Sequence, residues 1–251
     1  MANGEIPSGQ MQPQDSWGEY NRQQFVIKQL LNRMQTATLV RVDAVTNSGD
    51  VSAVGFVDVT PLVNQIDSDG LAVPHVTIHG VPYQRLQGGI NAVIIDPVVG
   101  DIGICVFASR DISKVKTTKG PANPGSFRTF NYADGMYIGG MLNGAPSQYV
   151  QFSSAGIKLH SPTAVILEAP DVQISAQTVE IAATVSTTVT TPTFTVNGAS
   201  VFNGTLSQTG GGASTLSGAL NVTGDVSGNG KSLHNHTHTS ATPGNPTSPP
   251  L

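Results

Sequence analysis

The 251-residue sequence predicts an all-β chain in two parts, a small closed barrel followed by a long shaft in which three copies wind around one axis. Three observations carry this expectation. Only 11% of residues are charged and 6% aromatic, while Gly, Thr, Ser and Val abound, so the Leu-, Lys- and Glu-rich surface of a helical protein is missing. Short β-forming runs separated by turn residues fill residues 36–118. Beyond residue 150, apolar residues recur in pairs at a spacing that neither a helix nor a disordered tail requires.

The first 15 residues are polar, with Gly and Pro, and read as an arm. They contain no basic n-region or apolar h-region, so no leader is expected, and no later run is apolar enough to span a bilayer. The chain is therefore expected to be made in the cytoplasm as a soluble protein. Ser16-Trp-Gly-Glu19 has the spacing of a capping box. Phe25, Val26, Leu30, Leu31 and Met34 follow at helical intervals, which predicts one amphipathic helix over Ser16–Met34 and closes a first segment, 1–35.

Five strands are expected next, at Ala37–Val45, Val51–Val59, His75–Ile78, Ala92–Ile95 and Gly103–Phe107. Turns fall at Asn47–Asp50, Asp67–Gly70 and Gln87–Gly89. About five strands in about 80 residues predict a barrel of the OB type over 36–118. Cys105, the single cysteine, sits in the apolar run Ile102–Phe107 and reads as a small core residue. Residues 119–149 hold Pro121, Pro124, Pro146 and several glycines at irregular spacing and read as a connecting region.

In the shaft, expected over 150–232, the pairs are Ile157 with Leu159, Val165 with Leu167, Val172 with Ile174 and Val179 with Ile181, then Phe194 with Val196 and Leu220 with Val222. Residues i and i+2 of a strand share a face, so each unit turns two apolar groups inward and then bends at Gly, Pro, Asn or Ser. No Asp, Glu, Lys or Arg occurs between Ile181 and Gly224. A strand of about five residues in a chain so poor in aromatics cannot bury two such groups alone. Three copies wound together would close one another's cores and pair one another's strand edges, as a triple-stranded β-helix on the order of 50 Å long. A single-chain parallel β-helix, in which the pulse marks the sides of one coil, is an alternative. A disordered Ser/Thr stalk is another, although disorder needs no fixed spacing of Val and Ile.

The last segment, 233–251, holds three of the six histidines, His234, His236 and His238, before a Gly/Pro-rich tail. On an extended strand His236 and His238 share a face, and a threefold axis multiplies two imidazoles into six. Six nitrogen donors suit one octahedral Fe(II), Ni(II) or Co(II) better than zinc, and such a saturated metal is structural. His234 is left outside the ligand set. The plainer alternative is a surface His tract that binds metal weakly. His75 and His79, four apart without a nearby acidic or Cys partner in sequence, read as barrel residues, and His160 as the end of a strand.

Net charge is −4 and no Lys/Arg cluster is present, so nucleic-acid binding is not expected. A β-helical polysaccharide-degrading enzyme would need paired carboxylates at a groove, whereas Glu168, Asp171, Glu180 and Asp225 are scattered. A trimeric receptor-binding fibre or adhesin would need a sugar site near its tip, and none is legible.

Two segments resemble a known family, the baseplate central spike of contractile-tailed bacteriophages, or baseplate assembly protein V, with relatives at the tip of type VI secretion systems. They are Asp96-Pro-Val-Val-Gly-Asp-Ile-Gly-Ile-Cys-Val-Phe-Ala-Ser-Arg-Asp-Ile112, similar to the late part of that family's OB domain, and Asn235-His-Thr-His238 before a Gly/Pro tail. The likeness extends over nearly the whole chain. It implies a homotrimer in the virion, at the tail baseplate tip, made in the host cytoplasm. It further implies that the OB domain docks on the tail hub protein and that the shaft crosses the host outer membrane when the sheath contracts. At the apex one Fe2+ per trimer would be held by His236 and His238 of each chain. Neither catalysis nor a small-molecule substrate is implied. The extra His234, and Thr239-Ser-Ala-Thr242 where glycine is common, depart from the family's pattern.

Overall fold

A computed structural model describes residues 11, 13–67 and 69–235. The chain divides into two units, 1–171 and 172–251. It is mostly β, with two short α-helices among the described residues, α1 (Glu19–Asn32) and α2 (Ser113–Thr118). The strands are β1 (Ala37–Val45), β2 (Phe56–Pro61), β3 (Gln65–Ile66), β4 (Ala72–Val73), β5 (Ile78–Pro82), β6 (Leu86–Gly88), β7 (Asn91–Val93), β8 (Ile102–Phe107), β9 (Gly135–Gly139), β10 (Tyr149–Ser153), β11 (Gly156–His160), β12 (Ser227–Gly228) and β13 (Lys231–Ser232).

Five strands form one antiparallel sheet in the order β5-β2-β1-β8-β9, curled into a half-barrel. Its outermost strands meet at a single parallel bridge between Tyr83 and Tyr137, where Gln84 N–H donates to Tyr137 O at 2.9 Å. The inner face follows the period-two rule: Val40 and Val42, Val57 and Val59, Cys105 and Phe107 are buried, joined by Ile78, Val81, Tyr83 and Tyr137. Cys105 is fully buried, and burial pushes its thiol up to about 12. Gly103 is required at its place, since a Cβ there would lie 2.6 Å from the Tyr137 ring.

The curl has identifiable causes. The β1–β2 register shifts between Val42 and Ala44, and that of β2–β5 between Val57 and Val59. Such bulges bend a strand and tighten its twist. Each is held by a carboxylate. Asp43 accepts from the hydroxyls of Thr60 (2.5 Å) and Thr77 (3.2 Å). Asp58 accepts from His79 Nδ1 (2.8 Å) and from the N–H of Gly80 (2.9 Å), whose φ of +65° only glycine adopts readily.

Several expectations shift. β1 spans the residues expected, but the second strand begins at Phe56 and not Val51. The loop before it is fixed by Asn47, whose amide donates to Ser52 Oγ and Ala53 O. The third strand runs Ile78–Pro82 in place of His75–Ile78, and β7 pairs only with β6, in a separate hairpin. The fifth strand of the sheet is β9, inside the stretch read as a connecting region. Helix α1 starts at Glu19, not Ser16. Gly18 (φ +99°) precedes it without a side-chain cap, and Ser16 Oγ instead bonds Pro13 O at 2.6 Å.

The 119–149 stretch is tied down by a clamp. Arg128 donates through Nε to Asp134 (2.6 Å) and through Nη2 to Asp134 (2.8 Å) and Asp111 (2.8 Å). Ser126 Oγ adds 2.7 Å to Asp111, and Ile112 N–H adds 3.0 Å to Asp134. The hydroxyls of Ser113 and Ser126, then the Ser113 N–H and the Arg128 charge, hold the Asp111 carboxyl at about 2, below its ordinary 3.8. Arg128, with help from Ile112 N–H, lowers the Asp134 carboxyl below its ordinary value.

Two outcomes follow. Arg128→Ala leaves Asp134 buried without its cation, and denaturant unfolding should lose about 3 kcal/mol, the low end for breaking a buried pair because Arg128 is partly hydrated. Both carboxylates are depressed in the folded state, so their contribution is complete above the ordinary value of 3.8 and is lost as pH falls below it, for Asp111 toward about 2. A pH series of unfolding midpoints should show that drop in the wild type and a shallower one in Arg128→Ala.

Candidate functional site

From residue 161 to 226 no residue belongs to a strand or a helix. The backbone donors and acceptors of this stretch therefore lack a ladder partner within the chain. Over 151–235 every residue except Ser161 and Ser232 is exposed. All the apolar residues that the pairing pattern singles out are exposed: Val165, Leu167, Val172, Ile174, Val179, Ile181, Phe194, Val196, Leu220 and Val222.

The exposures repeat as the sequence does. Val165, Val172 and Val179 are 51%, 54% and 56% exposed, and Leu167, Ile174 and Ile181, two residues on in each unit, are 74%, 73% and 76% exposed. Near-identical values at seven-residue steps show that the apolar pair is left equally open in all three units.

The hairpin β10–β11 precedes this stretch. Its cross-strand pairs Val150–Leu159 and Phe152–Ile157 stack apolar groups, all of them exposed. His160, the last residue of β11, faces Tyr149 with ring centroids 5.1 Å apart. A second hairpin, β12–β13, follows. Asn229 and Gly230, at φ +51° and +74°, form its turn, the Asn-Gly signature of a tight two-residue loop. Leu233 N–H bonds Val226 O at 2.7 Å, His234 N–H donates to Asp225 at 3.2 Å, and Asn235 N–H to Ser232 Oγ at 2.7 Å. Asp225 is held below the usual carboxylate range by Ser232 and by that His234 N–H. Local bonds thus fix the chain to within one residue of His236.

His236 and His238, the expected ligands, lie outside the described residues. His234 is exposed, and no group of three or more metal-ligating side chains occurs among the described residues. His75 Nε2 lies 3.0 Å from Val63 O, with its ring 5.3 Å from that of Tyr132, while His79 pairs with Asp58; the two are not brought together.

The barrel carries a cleft of about 370 Å³ lined by Arg85, Ile95, Asp96, Asp101, Tyr137 and Asn143, among others. Asp96 is committed to the fold. It accepts from Tyr83 Oη (2.6 Å), Arg85 Nη2 (2.5 Å) and Gly49 N–H (3.1 Å), and these bonds keep its carboxyl low against the opposing cost of burial. Nothing in the sequence singles out this buried pair; Arg85 and Asp96 are eleven residues apart with no pattern joining them.

No helix among the described residues is long and apolar enough to cross a membrane. No protein-family model matches the chain, and no curated protein is significantly similar to it.

Proposed function

We propose that this protein is a trimeric central spike of a contractile tail, which punctures the host outer membrane mechanically when the sheath contracts. The observation that carries the proposal is the uncovered stretch 161–226. It is apolar at recurring intervals, yet has neither a core nor a ladder of its own. Exposed backbone outside any ladder and exposed Val and Ile in one segment are what a neighbouring chain repairs. Three copies around an axis give each backbone edge a partner and turn the apolar pairs inward. The shaft is then a triple-stranded β-helix, and continuous interchain bonding makes it stiff.

In this reading the half-barrel, whose edges meet at Tyr83 and Tyr137, is an OB-type domain that docks on the tail hub. The β12–β13 hairpin delivers His236 and His238 of each chain to the axis as a narrow apex. Two alternate imidazoles per chain fit one iron per trimer, which would cross-link the three chain ends and leave no coordination position for substrate. The absence of Asp, Glu, Lys and Arg between Ile181 and Gly224 lowers the cost of passing the shaft through lipid.

Light scattering of the purified chain should return three times 26.0 kDa and hold that value on dilution; a stable monomer would sink the proposal. Elemental analysis should find about one iron per three chains, and the double variant His236→Ala, His238→Ala should lose the metal while remaining trimeric. Tails assembled with a variant that cannot trimerise should contract without delivering their contents.

A further inference from the structure

Helix α1 carries its apolar side chains on a face that its own chain leaves open. Tyr20, Val26, Ile27, Leu30 and Leu31 are exposed, as is Met34 just past the helix end, whose N–H still bonds Leu31 O at 3.0 Å. The half-covered residues are Asn21, Phe25 and Gln29, one turn apart along a single side. At about 100° per residue, Tyr20, Ile27, Leu31 and Met34 fall within an arc of about 60°, roughly opposite that covered side. Val26 and Leu30 widen the stripe, while Arg22, Lys28 and Arg33 lie beside it.

The stripe has a definite period. Tyr20, Gln24, Ile27, Leu31 and Met34 are spaced by four, three, four and three, a 3.5-residue repeat that keeps one seam facing a like helix. In that heptad Leu31 takes an a position and Ile27 a d position, the arrangement that disfavours two-stranded coils and favours three or more. Gln24 takes the other a position. Its amide donates to Tyr20 Oη at 3.1 Å, so the polar ends on the seam are paired with each other by one bond.

We propose that α1 from three copies of this chain packs side by side as a short parallel three-helix collar along the Tyr20, Ile27, Leu31 and Met34 seam. The inference rests on the trimer proposed above. A 14-residue helix is too short to associate by itself, but chains already joined through their shafts present three such helices to one another at high effective concentration. Rotational symmetry about one axis requires all three to run the same way.

The test uses the full chain with Ile27→Cys. Cys105 stays silent because it is buried and its thiol is pushed up to about 12. Under mild oxidation at low protein concentration, three thiols on an axis can form one disulfide and leave one over, so about two thirds of the chains should become covalent dimers on a non-reducing gel. Leu31→Cys should behave the same way, and Arg22→Cys, off the seam, should cross-link at least tenfold less. A trimer by light scattering in which Ile27→Cys and Leu31→Cys do not cross-link overturns the collar while leaving the spike reading intact. The collar is equally overturned if Arg22→Cys cross-links as well as they do. A monomer overturns both.

Discussion

The constraint on which this molecule turns is that backbone outside a ladder and apolar side chains must be covered by something. Between residues 161 and 226 the chain covers neither. Each unpaired peptide group can be hydrated, so the isolated segment is not forbidden, but hydrating the backbone does nothing for a Val, Ile or Leu every few residues. Apolar pairs at seven-residue steps between Val165 and Ile181 are left without cover by the chain itself. In the proposed trimer that cover, with the same period, comes from identical chains.

The curled sheet contrasts with this. There the bulges and the loops beside them find polar partners within the chain. Both bulges of the curled sheet carry an aspartate, Asp43 and Asp58, that accepts from groups on the next strand. The run from 119 to 134 has no strand of its own and is held by one guanidinium shared between Asp111 and Asp134. Few of these polar groups are accidental decoration: each one bends, closes or anchors the sheet that the valines alone would leave flat.

Sequence periodicity revealed the apolar faces well and the sheet order poorly. The β-forming runs Ala37–Val45 and Gly103–Phe107, bounded by turn residues, located β1 and β8 to within a residue. Strand β9 escaped notice because Met136-Tyr-Ile138 is only three residues long between glycines, in a stretch dense with proline. What makes it a strand is tertiary, the closure of the sheet at Tyr83 and Tyr137. Likewise Ser16 and Glu19 had capping spacing, but Gly18 with positive φ takes the chain off the path such a box needs. At the other end, the Asn-Gly turn of β12–β13 follows from composition, while the aspartate that accepts from His234 N–H, nine residues back, does not.

The matched exposures of Val165, Val172 and Val179 carry a last implication, for length. A segment built from units that repeat one apolar pair has no preferred size. It can be extended or trimmed by whole units, and every remaining side chain keeps its orientation, whereas removing three or four residues would rotate all that follows to the wrong face. Length is therefore quantised in steps of one unit, with no change in how the segment is built.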